Sequence, residues 1–178
     1  SHGSVYARPI RRGLNIREML LCAPIPPPEN CDVVKAPQVT LGMTVREKVE
    51  SLTEQPGTSC AGCHTTFING FGHALNHFSS RGMYWEKEHM FQTEGVFAGD
   101  PYWYLLPEEQ WAEIDATGTS ILNGQSITVN GAKELTDTLV DSGQLEWCWS
   151  RQYFRYALGR LGWDSDADTA LDSGLEGG

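Results

Sequence analysis

The sequence predicts a mainly α-helical domain with a proline-rich N-terminal arm and one small β-hairpin. Three observations carry this reading. Helix-start and helix-stop signals bracket several short segments with apolar periodicity. One Asn123-Gly124 pair separates two β-prone runs. The run Cys60-Ala61-Gly62-Cys63-His64 places two thiols three positions apart, which on a helical turn face one side, with an imidazole next to them.

That run is the attachment signature of a c-type haem. Two thiols add to the porphyrin vinyl groups, and the adjacent imidazole binds the iron as the proximal ligand. Cys60 and Cys63 are therefore expected as haem thioethers and His64 as the proximal iron ligand, with one covalently attached haem c as the cofactor. A zinc half-site and a dithiol redox pair are the competing readings. Zinc asks for a second ligand pair of similar spacing, and the sequence has no other Cys-x-x-Cys, Cys-x-x-His or His-x-x-His. A thioredoxin-like pair asks for a βαβ frame, whereas the flanks of this motif read as short helices.

Taken in order, the chain first shows Pro9 and Gly13 ahead of a short helix. Asn15 is its expected cap, Glu18 completes a capping-box-like pair, and Leu20 and Leu21 supply an apolar side. Ala23-Pro24-Ile25-Pro26-Pro27-Pro28 stops that helix and continues as a stiff, extended arm. Thr44-Val45-Arg46-Glu47 is a capping box that opens the next helix. Val45, Val49 and Leu52 form its buried face, and Pro56-Gly57 ends it. After His64, residues 67–72 read as a glycine-rich turn leading into a short helix at about 73–78. A backbone carbonyl of that turn is the expected acceptor for the second ring nitrogen of His64.

Residues 81–129 are irregular, with a dense aromatic run at 100–106 expected to cover one side of the haem. Within them, residues 120–129 form the expected hairpin with a type I′ turn. A helix over 133–142 follows, capped by Asn130, with Leu135, Leu139 and Val140 inward and Gly143 just past its end. The closing helix spans 144–158, and its many aromatics predict burial on most sides. The expected organisation is an N-terminal helix and proline-rich arm (1–43) packed on a c-type haem domain (44–162). That domain carries an irregular insertion at about 86–112, and an acidic mobile tail or linker (163–178) follows it.

The net charge is −10 over 178 residues, and the five acidic residues of 163–178 supply half of it. An acidic chain lacks the basic stripe that nucleic acid requires. No apolar run approaches membrane-spanning length, and the first residues lack a signal-peptide core, so a mature or excised segment is expected. With two cysteines assigned to haem, Cys22, Cys31 and Cys148 remain. Both Cys22–Cys148 and Cys22–Cys31 are open on sequence alone.

Several stretches together carry a family likeness: P-I-R-R-G-L-N-I-R-E-M-L-L-C at 9–22, the proline stretch, T-V-R-E at 44–47 and C-A-G-C-H at 60–64. The I-x-x-x-G-x-A-L-x-H-F pattern of 68–78 and C-W-S-R-Q-Y-F-R-Y-A-L-G-R at 148–160 complete it. Over roughly residues 8–160 the chain resembles the paired C-terminal cytochrome-type domains of large exported proteins first noticed in planctomycetes and myxobacteria. The resemblance implies an exported, periplasmic or extracellular bacterial module with a single haem, part of a larger polypeptide, and a Cys22–Cys148 disulfide. The family usually has Asp-Pro where this chain has Asn69-Gly70, and Asp where it has Ser79. The order of elements is also similar to class I cytochrome c. This implies a cytochrome c-like helical core around one haem, with the helices at 44–53 and 144–158 crossing beside it.

A sixth iron ligand is expected from the variable middle. Met90, 26 residues beyond His64, is favoured, with Met83 and His77 as alternatives and His73 and His89 as further candidates. A Met raises the reduction potential and a second His lowers it. The expected activity is one-electron transfer, an electron carrier in preference to an enzyme, because an iron held by two axial ligands reorganises little between its oxidation states. Two rivals stand beside it. One is a five-coordinate haem enzyme or sensor taking peroxide or a diatomic gas. The other is a haem-stapled docking module. The implied partner is a redox protein. Modules of this kind occur joined to carbohydrate-binding domains, which makes a copper polysaccharide monooxygenase one conceivable acceptor and another cytochrome an equal one.

Overall fold

The computed structural model describes residues 7–25, 42–90 and 111–159. These are mainly helical, with two small antiparallel sheets. Helix α1 (Pro9–Asn15) widens into a π turn over Ile16–Leu20, and α2 spans Val45–Thr53. Helix α3 (Ser59–Cys63) continues through a second π turn (His64–Ile68) into α4 (Asn69–His73). Strands β1 (Lys87–His89) and β2 (Trp111–Glu113) pair, as do β3 (Thr117–Leu122) and β4 (Gln125–Asn130). Helices α5 (Gly131–Asp141) and α6 (Gln144–Ala157) close the described chain. The proline arm beyond residue 25, the aromatic run at 100–106 and the acidic tail lie outside the described residues.

Several local signals act as their chemistry dictates. The Thr44 hydroxyl accepts from the Glu47 amide at 3.2 Å, and the Glu47 carboxylate accepts from the Thr44 amide at 2.8 Å. This closed capping box satisfies amides that the first turn of α2 leaves unpaired. Asn123 and Gly124 both take positive φ (51° and 73°), so the two-residue turn matches the twist of the β3–β4 hairpin. Gly143, at φ 70°, separates α5 from α6.

The first helix departs from expectation. It starts at Pro9 and runs through Gly13 and Asn15, with no capping bond at Asn15. Pro9 occupies the first turn, where its missing N–H costs nothing. The glycine-rich stretch departs further: residues 64–73 are helical, and turns follow at 74–77. Here the glycines serve contact. A Cβ on Gly13 would fall 2.0 Å from the Ile68 carbonyl oxygen, and one on Gly72 would fall 2.0 Å from that of Pro9, so α1 and α4 cross backbone to backbone.

That crossing fixes the core. Ile16, Leu21, Phe71 and Ala74 meet Leu122 and Val129 of the hairpin and Leu135 and Leu139 of α5. Val140, expected inward, is exposed. The packed helix pair is α1 with α4. Among the described residues α2 and α6 form no substantial contact, which corrects the class I crossing of those two helices.

Helix α6 is tied to the core through Cys148, its one buried residue, which forms a disulfide with Cys22 across 126 residues. Closing so long a loop stabilises a chain by about 2–4 kcal/mol. The rest of α6 corrects the expectation of burial. Trp149 is 65% exposed, Tyr153 74% and Phe154 64%.

Candidate functional site

Cys60, Cys63 and His64 lie on the continuous helical segment α3–π–α4. The Thr58 hydroxyl caps its start by accepting from the Ala61 amide at 3.1 Å. Three positions apart on one turn, the two cysteines share a side. Cys63 is a free, partly buried thiol. Cys60 is disulfide-bonded. A thioether at Cys60 therefore requires that disulfide to be reduced first.

His64 opens the π turn and is half-buried. Its Nδ1 lies 3.1 Å from Oδ1 of Asn69, a residue only 1% exposed. The Asn69 amide group is itself fixed, because Nδ2 donates to Thr53 Oγ1 at 2.9 Å and to Glu54 Oε1 at 2.7 Å. Since Nδ2 is committed to these acceptors, Oδ1 must face His64 and accept its Nδ1 proton. The unprotonated lone pair of the ring then lies on Nε2. The acceptor is thus a side chain, whereas the sequence reading placed a backbone carbonyl there.

Ser79, where the resembled family has Asp, accepts from the amides of Arg81 (3.3 Å) and Met83 (3.2 Å), so its hydroxyl holds the turn. The expected sixth-ligand candidates have these surroundings. Met83 is 42% exposed, and Met90 is half-buried directly after β1. His77 stacks on Tyr84 at 5.2 Å, with Nδ1 2.7 Å from the Trp85 carbonyl. His89 is buried edge-on to Trp111 at 5.8 Å.

Arg17 positions the segment from below. It is 6% exposed and donates to the carbonyls of Phe67 (2.9 Å) and Ile121 and to Ser120 Oγ (3.1 Å). Its guanidinium also lies 5.1 Å from the Phe67 ring centroid and 4.9 Å from that of Phe71. Burial pulls its pKa down to about 10, so the group keeps its charge at neutral pH.

Two buried titratable groups flank α2 and oppose one another. Burial lifts the Glu88 carboxyl to about 7, against the pull of the Val45 amide that it accepts, with Glu47 pushing it further up. Burial, helped by Arg46, lowers His73 to about 4. Below about 4.5 the raised Glu88 contributes its full stability, which is lost as pH rises through 7. The depressed His73 contributes stability above about 6.5, lost as pH falls through 4. Between these limits the two slopes cancel. In Glu88→Gln the His73 slope stands alone, so urea unfolding should show stability rising by about 1–2 kcal/mol from pH 4.5 to 6.5. A variant that keeps the wild-type slope would refute the pairing.

The described residues form a mainly helical domain with two small antiparallel sheets, and a family match over its N-terminal half supports a cytochrome-type domain at a coarse level. Residues 2–88, just under half of the chain, match the family model PSCyt3, described as a protein of unknown function (DUF1588). The match takes in α1, α2, the Cys60–His64 run and the first two residues of β1. No curated protein and no solved structure matches the chain. Among the described residues no helix is long and apolar enough to cross a membrane.

Proposed function

We propose that this chain is an exported mono-haem c-type cytochrome module that carries single electrons to or from a redox protein partner. The observation that carries the reading is the His64–Asn69 contact. A Cys-x-x-Cys-His run is followed by a buried carboxamide that fixes the histidine's tautomer and leaves Nε2 as its ligating nitrogen. Cys60 and Cys63 would hold the haem and His64 would bind its iron. Bound there, the haem would supply a one-electron Fe(III)/Fe(II) couple. Met90 is the proposed sixth ligand, because Met83 is more exposed and His77 already engages one ring nitrogen with Trp85. The Cys22–Cys148 disulfide suits an oxidising compartment, which supports export. The copper polysaccharide monooxygenase and the second cytochrome remain the proposed partner classes.

One observation favours a second reading. With Cys60 in a disulfide and Cys63 a free thiol one turn away, attack by the Cys63 thiolate on the Cys60 sulfur would form Cys60–Cys63 and release the former partner as a thiol.

A single preparation separates the two readings. Expressed with a cytochrome maturation system, the chain should be coloured, have a mass one haem above the polypeptide and give a pyridine haemochrome. A low-spin ferrous spectrum unchanged by carbon monoxide supports the carrier over a five-coordinate enzyme or sensor. Cys63→Ser should lose the full two-thioether haemochrome. A colourless product at the bare polypeptide mass would overturn the haem reading, and a reversible Cys60–Cys63 disulfide would support thiol exchange.

A further inference from the structure

We propose that Glu50, Glu54 and His73 form a binding site for one divalent transition cation of the zinc class, separate from the Cys60–His64 motif. Glu50 and Glu54 are four positions apart and project from the same face at the end of α2. His73 closes α4 opposite them, and one ligand atom from each of the three lies within 4.8 Å of the others.

The acidic pair alone would be a solvated helix face. His73 makes it a site. The residue is 2% exposed, its Nε2 is buried without a hydrogen-bond partner, and the only other such side-chain atom among the described residues is Oδ1 of its neighbour Asn76. Leaving a polar atom buried and unpaired costs about 1–3 kcal/mol. A cation accepting the Nε2 lone pair removes one of these orphans. Nδ1 must then carry the ring proton. Asn76, whose carboxamide lies 3.3 Å away, would turn over so that Oδ1 accepts it, giving up the bond from Nδ2 to the Asp115 carbonyl.

The carboxylates are prepared in the same way. Glu54 accepts from Asn69 through Oε1, and Glu50 accepts from Arg46 through Oε1 at 2.7 Å, so each has Oε2 for an ion. Arg46 is a nearby cation that opposes binding, and it also pairs with Asp115 at 3.0 Å. Three carboxylates against one guanidinium keep the surroundings negative. Burial holds His73 neutral at physiological pH, the form a metal ligand needs. One imidazole and two carboxylates, with water completing the shell, suit zinc better than calcium, which prefers six to eight oxygens. The Glu50 side chain, 37% exposed, gives the ion a route from solvent.

The test is calorimetric titration of the purified full chain with Zn2+, and with Ca2+ for comparison, after EDTA treatment. It does not depend on haem. Wild type should take up one zinc in preference to calcium, and Glu50→Gln and Glu54→Gln should each bind it at least about tenfold more weakly while unfolding near the wild-type temperature in EDTA. Zinc held by Cys63 or a surface histidine would be unmoved by either glutamine. Zinc should also shift the His73 Nε2 resonance in a long-range 15N spectrum. No zinc uptake, equal affinity in either variant, or an unshifted His73 would each overturn the proposal.

Discussion

Gly70→Ala is expected to abolish the folded state. A Cβ there would fall 2.0 Å from the Thr119 carbonyl oxygen and 2.5 Å from its carbon. A Cβ on the facing Gly118 would fall 1.9 Å from the Gly70 oxygen. Helix α4 and strand β3 thus touch through bare backbone, and neither has a flexible side chain end that could yield. The neighbouring crossing of α1 over α4, through Gly13 and Gly72, is equally tight and prevents α4 from retreating. Relief requires separating α4 from the hairpin, which opens the core around Phe71 and Leu122. The cost should be at least about 4 kcal/mol, a large part of a domain's usual stability. The expected result is insoluble or molten protein by near-ultraviolet circular dichroism. Gly62→Ala is the control. It lies inside the cysteine motif with nothing within 4 Å of its added methyl, so stability should change by no more than about 0.5–1 kcal/mol. If Gly70→Ala folded as well as Gly62→Ala, the close crossing would be wrong.

The same glycines mark the boundary of what the sequence could say. Gly143 and the Asn123-Gly124 pair are needed for positive φ, a local property, and their turns were legible in the sequence. Gly70 and Gly72 are needed because distant carbonyls press on them, and the partners at Thr119 and Pro9 give no local trace. Reading them as turn formers therefore placed the turn before the helix instead of after it. Charge and polarity behave alike. The Thr44–Glu47 box spans four residues and was evident. The His73 site draws its carboxylates from a helix about twenty residues earlier, and Asn69 reveals its role only once Glu54 and Thr53 are beside it. Aromatic content misled at α6, since periodicity reports which residues can be buried and only tertiary contacts decide which are.

Arg17→Met should cost about 3 kcal/mol and loosen the segment that carries His64. Two effects oppose one another. Methionine removes an unpaired buried charge, which on its own favours the variant, because burial already lowers the Arg17 pKa. Against this, the substitution strips a donor from the Phe67 and Ile121 carbonyls and from Ser120, at about 1–3 kcal/mol for each acceptor left unsatisfied. It also removes the cation from between the Phe67 and Phe71 rings, worth up to about 2 kcal/mol where desolvated. Ser120 donates to the Phe67 carbonyl as well, which softens one of these losses but not that at Ile121. The penalties win because the acceptors stay in place when the donor goes. Arg17→Lys should recover little, since an ammonium cannot span the acceptors on the π turn and on β3 at once. Urea unfolding at pH 7 reads the stability, and amide exchange over 64–68 reads the loosening. If Arg17→Met lost less than about 1 kcal/mol with unchanged exchange there, the segment would be held by its own helix, and the guanidinium would be incidental to where His64 points.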